Sequence, residues 1–288
     1  MSATACSVLI TGASSGIGEA TALRLARAGW RVFAGVRTAA DADRLRAAAG
    51  ERLEPVTIDV TEPATIAAVA AALGDEQLDG LVNNAGTALA MPLEFLPLDQ
   101  LRRQLEVNLV GHVAVTQALL PNLRAARGGI VNVGSIAGRS ALPFLGAYAA
   151  SKHALEAVTD VLRVELRPFG IAVTVIEPGT IATPIWRKGG ERFQELAANL
   201  PAPLGDELGE LYGKRMAAFR EAAAAAGRRA EPADDVAIVI ERALTAERPK
   251  ARYVVGRDAR RRARIERLPA GLRDLVYERV LLRPHDTI

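Results

Sequence analysis

The stretch Ser7-Val8-Leu9-Ile10, then Thr11-Gly12-Ala13-Ser14-Ser15-Gly16-Ile17-Gly18, then Glu19 to Ala28 reads as a strand, a glycine-rich turn and a helix. Glycine has no β-carbon, so Gly12 permits a tight turn. Gly16 and Gly18 let backbone amides and the helix N-terminus come close to a pyrophosphate. A plain turn with a helix cap is the bland alternative. Three glycines between a strand and a helix favour the phosphate cradle.

Outward from this unit the same alternation continues. Short aliphatic runs at Arg31–Gly35, Glu54–Ile58, Gly80–Asn83, Gly129–Val133, Ala172–Glu177 and Tyr253–Gly256 are separated by Ala/Leu/Arg segments with helical periodicity. With Ser7–Ile10 they make seven strands. Several lack strict apolar/polar alternation, which suits strands covered on both faces. The expectation is an α/β, doubly wound, Rossmann-type seven-stranded parallel sheet with helices on both faces, one domain over 1–288. Residues 185–230 hold no strand-like run and follow the sixth strand, where they would form a helical lid over the crevice. Residues 257–288 form a C-terminal helical extension.

Composition excludes several classes. Half of the 288 residues are hydrophobic, enough for a large core. The one cysteine, Cys6, allows no internal disulfide, and no Cys/His grouping implies a metal. His112, His153 and His285 are too scattered for a metal site or a triad. No apolar run reaches the roughly 20 residues needed to span a bilayer, and the opening residues lack a signal-peptide pattern. A soluble, cytoplasmic protein is expected. The net charge of +3 implies no nucleic acid.

The residues that follow the strands carry a family likeness. Thr11-Gly-(x)3-Gly-x-Gly18, Asp59-Val60 after the third strand, Asn83-Asn84-Ala85-Gly86 after the fourth, and Pro178-Gly179 with Ile181 and Thr183 after the sixth occur in the order of the short-chain dehydrogenase/reductase family. The chain resembles that family over roughly residues 5 to 260. The resemblance implies a nicotinamide dinucleotide held by Gly12, Ser14, Ser15, Gly16, Ile17 and Gly18. It gives Asp59 and Val60 the adenine, Asn84, Ala85 and Gly86 the cofactor wall, and Pro178 to Thr183 the nicotinamide end. The overall pattern is similar to steroid- and retinol-type members. Gly134 stands where the family often has serine.

Cofactor choice turns on the second strand, where an acid would bond the ribose hydroxyls of NAD and repel a 2′-phosphate. None stands directly there. Arg37 offers a cationic fork and Thr38 a hydroxyl, which favours NADP(H) over NAD(H). Arg37 as a plain surface arginine is the other reading. Asp41 and Asp43, later in the loop, are within reach of a ribose.

Tyr148 and Lys152 lie four apart in a helical segment and so share one face. A nearby ammonium stabilises a phenolate and lowers the tyrosine pKa, which equips Tyr148 to exchange protons near neutrality. Ser135, just past Gly129–Val133, reaches the same space. The resemblance adds Asn108, as holder of a relay water, and implies Asn108, Ser135, Tyr148 and Lys152 as the catalytic set. It also gives Lys152 the nicotinamide ribose. Each has a bland reading: a helix cap, a local backbone bond, a core ring, a solvated amine.

The substrate expected is a fairly lipophilic carbonyl compound or secondary alcohol. Trp186, Ile185, Phe193 and Leu196 are candidates for its pocket. A ketoreductase acting on carrier-bound 3-oxoacyl groups and a dinucleotide-sensing protein without turnover are the alternatives. Family likeness also implies a homo-oligomer, dimer or tetramer. Arg257 to Arg267 holds six arginines, and Leu268, Leu272, Leu275, Val276, Val280 and Leu281 follow at helical spacing. That pattern fits an anionic membrane surface or an acidic carrier protein. A solvated helix packing its apolar side on the main body or a second subunit is the favoured reading.

Overall fold

The computed structural model describes residues 5–197 and 206–281. The expectations for 1–4, for part of the lid (198–205), and for the end of the extension (282–288, with His285) lie outside the described residues. Seven strands form one sheet: β1 Ser7–Ile10, β2 Arg31–Val36, β3 Leu53–Thr57, β4 Gly80–Asn83, β5 Gly129–Val133, β6 Ala172–Pro178 and β7 Arg252–Val255. All pairings are parallel, in the order β3-β2-β1-β4-β5-β6-β7. The chain winds outward from β1 to β3 and then returns to lay β4 on the other side of β1. The carboxyl ends of β1 and β4 therefore open a crevice at the switch point, where ligands bind in such sheets.

Around the sheet lie α1 Gly16–Arg27, α2 Ala39–Ala49, α3 Pro63–Leu73, α4 Leu98–Leu105, α5 Gly111–Ala126, α6 Gly146–Glu165, α7 Ile185–Ala197, α8 Asp206–Gly227, α9 Ala233–Thr245, α10 Arg257–Ile265 and α11 Ala270–Leu281. Successive strand side chains point to opposite faces. Val8, Ile10, Val32, Ala34, Val82 and Val131 meet Leu25 of α1 and Ile240 of α9 in one core. Leu9, Phe33, Leu81, Ile130 and Val173 meet Ile66 of α3 and Leu119 of α5 in another. Because both faces are covered, both side-chain sets must be apolar, which is why these strands carry no alternation.

Between α4 and α5 the backbone continues as a π-helical stretch, Glu106–Val110, without leaving the helical region. Asn108 falls inside it and is fully buried. Among the described residues, no helix is long and apolar enough to cross a membrane. Of the two placements favoured from sequence for the apolar side of α11, the main body or a second subunit, the first is not what the chain shows: Leu272, Leu275 and Val280 are 55%, 61% and 63% exposed. Tyr277 is buried instead, because a polar network described below anchors this helix.

Candidate active site

The glycine turn is held against the end of β4 by side chains that replace missing backbone partners. Asn84 Nδ2 donates to the carbonyls of Thr11 and Gly12, both at 3.0 Å. The Thr11 hydroxyl accepts from the N–H groups of Asn84 (2.9 Å) and Ala85 (3.0 Å). Gly12 has φ +65°, and a β-carbon there would lie 2.8 Å from Ala85 Cα. At Gly18 it would lie 2.3 Å from the Gly12 carbonyl oxygen. Neither position accepts a side chain, so the turn keeps a bare backbone facing the crevice.

A cleft of about 330 Å³ opens above this turn. Ser14, Ser15, Gly16 and Ile17 line one wall, Asp59 and Val60 one end, and Ala85 and Gly86 the side next to β4. Pro178, Gly179, Ile181 and Thr183 close it from the β6 side. A backbone cradle at a helix N-terminus, with polar walls at one end and a buried tyrosine at the other, fits a dinucleotide. Gly18, Thr38 and Asn108 do not line the cleft. Gly18 lies behind the turn it shapes.

At the β2 end, Arg37 lines the cleft with its Nη1 3.8 Å from Asp59 Oδ2. Burial works against the Asp59 carboxylate, but the N–H and hydroxyl of Thr61, with Arg37 and Arg103, outweigh it and hold its pKa below the ordinary value. Thr38 is spent as the cap of α2: its hydroxyl accepts from Asp41 N (3.2 Å) and donates to Asp41 Oδ2 (2.7 Å). Asp41 is thus engaged, and Asp43 pairs with Arg46 at 3.0 Å on the exposed side of α2. Both acids are thus engaged in local contacts. Arg44, unremarked in the sequence, donates to the Ser14 carbonyl at 2.5 Å.

At the other end, α6 delivers Tyr148 and Lys152, and the end of β5 delivers Ser135; the three are 6%, 3% and 8% exposed and all line the cleft. Lys152 Nζ donates to the Val133 carbonyl at 2.9 Å. It lies 5.9 Å from the centre of the Tyr148 ring. This corrects the expectation for Tyr148. Its pKa is raised above 10 by burial, with Ser135 and Arg262 pulling the other way. Burial likewise lowers Lys152 to about 8, opposed by the Glu156 charge. Desolvation wins because both groups are sealed from water and the ammonium is turned toward a carbonyl. Tyr148 therefore stands protonated at neutral pH.

Asn108 does not face the cleft with its side chain. Its Oδ1 accepts from Thr87 N (2.9 Å), and its Nδ2 donates to Thr87 O (2.9 Å) and Ser151 Oγ (3.0 Å). Ser151 in turn donates to the Tyr148 carbonyl at 2.7 Å. Both Nδ2 protons and one Oδ1 lone pair are engaged, so the side chain braces the first turns of α6. His112 is buried and pushed down to about 3 by desolvation and by Lys152. It is neutral, and its Nε2–H donates to the Ala85 carbonyl at 2.7 Å.

Trp186 stacks edge-on against Tyr148 with centroids 5.6 Å apart, and Ile185 lies beside them. Phe193 and Leu196, expected in the same pocket, pack with Leu89, Met91, Leu96 and Ala147, and Phe193 also borders Leu145, Met216 and Phe219. The sequence reading missed the C-terminal contribution. Asp258 Oδ2 accepts from the N–H and the hydroxyl of Thr180, each at 2.8 Å, and so pins the loop after β6. A signal existed: Asp258 follows β7 at the carboxyl edge of the sheet, where every other site residue lies. Arg103 and Lys188 also line the cleft and carried no such signal.

A family model described as short chain dehydrogenase matches residues 7–192. Retinol dehydrogenase 16 of Homo sapiens is 40% identical over 262 residues, covering 88% of this chain and 81% of that protein. The 17-beta-hydroxysteroid dehydrogenase type 6 of Homo sapiens is 36% identical and covers 98% and 90%. Among solved structures, a short chain dehydrogenase from Burkholderia cenocepacia J2315 in complex with NADP superimposes with a TM-score of 0.71 at 27% identity, covering 97% of this chain and 98% of that one.

Proposed function

The chain belongs to the short chain dehydrogenase family, an oxidoreductase fold that uses a nicotinamide dinucleotide, and on that premise we propose that it interconverts a fairly lipophilic ketone or aldehyde and its alcohol with NADP(H) in preference to NAD(H). The observation that carries the reading is the meeting of Tyr148, Ser135 and Lys152 with the glycine turn in one cleft. When bound, the dinucleotide supplies or accepts the hydride. Ser135 orients the substrate oxygen. Tyr148 gives that oxygen its proton in reduction, and its raised pKa suits this direction at neutral pH. Lys152, at about 8, changes charge near physiological pH and replenishes the proton.

NADP(H) is favoured because Arg37 is exposed at the β2 end, with no acid between it and the cleft other than Asp59. An apolar substrate is favoured because Trp186 and Ile185 flank Tyr148, and because Leu145, Met216 and Phe219 form a buried apolar wall between the β5–α6 loop and α8. In this reading α7 and α8 are the lid. A fluorescence titration with NADPH and NADH, repeated on Arg37→Ala, tests the cofactor. A panel of ketones, aldehydes and secondary alcohols tests the chemistry. Tighter NADPH binding that weakens selectively in the variant, with turnover of apolar carbonyls, is expected. Failure to turn over any member of the panel would sink the reading.

A further inference from the structure

Of the arginines in α10, Arg262 alone turns inward to the catalytic loop. It is largely buried, and it grips one residue twice: Nη2 donates to the Ser140 carbonyl at 2.7 Å and Nε to the Ser140 hydroxyl at 3.1 Å. The Ser140 hydroxyl donates onward to the Tyr277 phenol oxygen (2.7 Å), and Tyr277 donates to Glu266 Oε1 (2.5 Å). All the bonds run one way, from guanidinium to carboxylate.

A buried guanidinium is expensive without an anion beside it, and the nearby acids are engaged elsewhere. Asp258 holds Thr180, and Glu266 holds Tyr277 and pairs with Arg273 at 3.0 Å. Among the described residues no carboxylate lies within ion-pair distance of Arg262. Ser140 belongs to the loop that joins Ser135 to the helix of Tyr148. The cation is thus fixed, by a two-point grip, to the segment that carries the proton-transfer groups.

We propose that Arg262 is a positioning residue for Tyr148: by its two-point grip on Ser140 it clamps the Ser135–Ser140 loop, and it lends the phenolic oxygen a positive field. The inference rests on Tyr148 being the proton-transferring group. The charged and titratable groups around the pair are Lys152 on α6, Asp258 on α10, Glu266 beyond it and Tyr277 on α11, with Ser135 as a hydroxyl donor. The acids favour charge on Arg262, whose own pKa burial pushes down. Arg262 and Tyr148 each favour the ionised form of the other. The C-terminal segment, on this view, is part of the reaction centre.

The test is an ultraviolet titration of tyrosinate formation, with Tyr148→Phe as the blank, on the wild type, Arg262→Gln and Arg262→Lys. Removing the charge is expected to raise the Tyr148 midpoint by about one pH unit, and lysine to restore most of it. The pH profile of kcat for alcohol oxidation should move by the same amount, with the dissociation constant for the dinucleotide unchanged. A midpoint that stays put in folded Arg262→Gln overturns the proposal. Should that variant not fold, Arg262→Met removes the field without leaving a new polar group buried, and the same criterion applies. The titration needs no substrate. A moved midpoint without turnover would remove the functional reading and leave only the electrostatic coupling of Arg262 to Tyr148, whereas an unmoved midpoint in an active enzyme would remove this inference alone.

Discussion

The two ends of the cleft are built in different ways. The dinucleotide end is made of backbone: the turn after β1 presents amides because Gly12 and Gly18 exclude side chains, and its supports, Thr11 and Asn84, bond main-chain groups. The end where we place the reaction is made of side chains gathered from α6, the end of β5 and α7, with the C-terminal segment bonded to the loop behind them. A backbone surface depends on a few contiguous small residues. A side-chain surface depends on partners far apart in the chain and on how much water they exclude. The first fails by steric blockage, the second by loss of one functional group.

The sharpest separation of the two ends is Tyr148→Phe. It should lower kcat by about 10²–10⁴ while NADPH binding is retained, as a titration beside steady-state kinetics would show. Loss of nucleotide binding in that variant would mean that the two ends are one unit. Next in size is Gly18→Ala at the backbone end. The added carbon meets the Gly12 carbonyl, so nucleotide affinity should collapse and stability should fall by about 1–3 kcal/mol, read by a denaturant melt. An alanine variant that binds normally would show that the turn yields.

A third effect belongs to the side-chain end. Burial and the Glu177 charge, opposed by Arg252, raise the Glu156 carboxyl from 4.5 to about 7. The folded state then holds a proton that the unfolded state has released. Its stability contribution is complete below about pH 4.5 and is lost as pH rises through about 7. Glu156→Gln should flatten this, with melting temperatures that differ between pH 5 and pH 8 by a few degrees less than in the wild type. An identical pH slope in the variant would place the titration elsewhere. The smallest effect is Arg37→Ala. The side chain is 65% exposed, so NADPH binding should weaken by only about 1 kcal/mol, with NADH binding unchanged in the same fluorescence assay.

What could be read in advance follows the same division. The seven strands were legible because each is a short apolar run between helical segments, and β5 occupies the expected Gly129–Val133. The glycine turn and the Tyr148–Lys152 spacing were legible because each is local, and Asn84 was legible through family likeness. The electrostatics were not. Spacing places Lys152 near Tyr148, but only the packed structure shows the ammonium bonded to Val133 and the phenol sealed from water. Asn108 could be found by likeness, yet its commitment to Thr87 and Ser151 requires tertiary contacts. Arg262 sits in a run of arginines that reads as a solvated face, and one turn of α10 decides which of them looks inward, whereas Asp258 carried a signal in its place just after β7.

The π-helical stretch has a consequence for phase. In a regular helix a residue advances the side chain by about 100°, so α4 and α5 keep time from different origins, offset by the extra residue between them. Gln104, near the end of α4, and Asn108, inside the irregular turn, both close on Thr87. Deleting one residue from Glu106–Val110 would heal the helix and unlock Thr87 without altering any residue that lines the cleft except Val107. The tail of β4, and with it the wall beside the nicotinamide end, is thereby timed by a miscount in a helix on the far side of the loop.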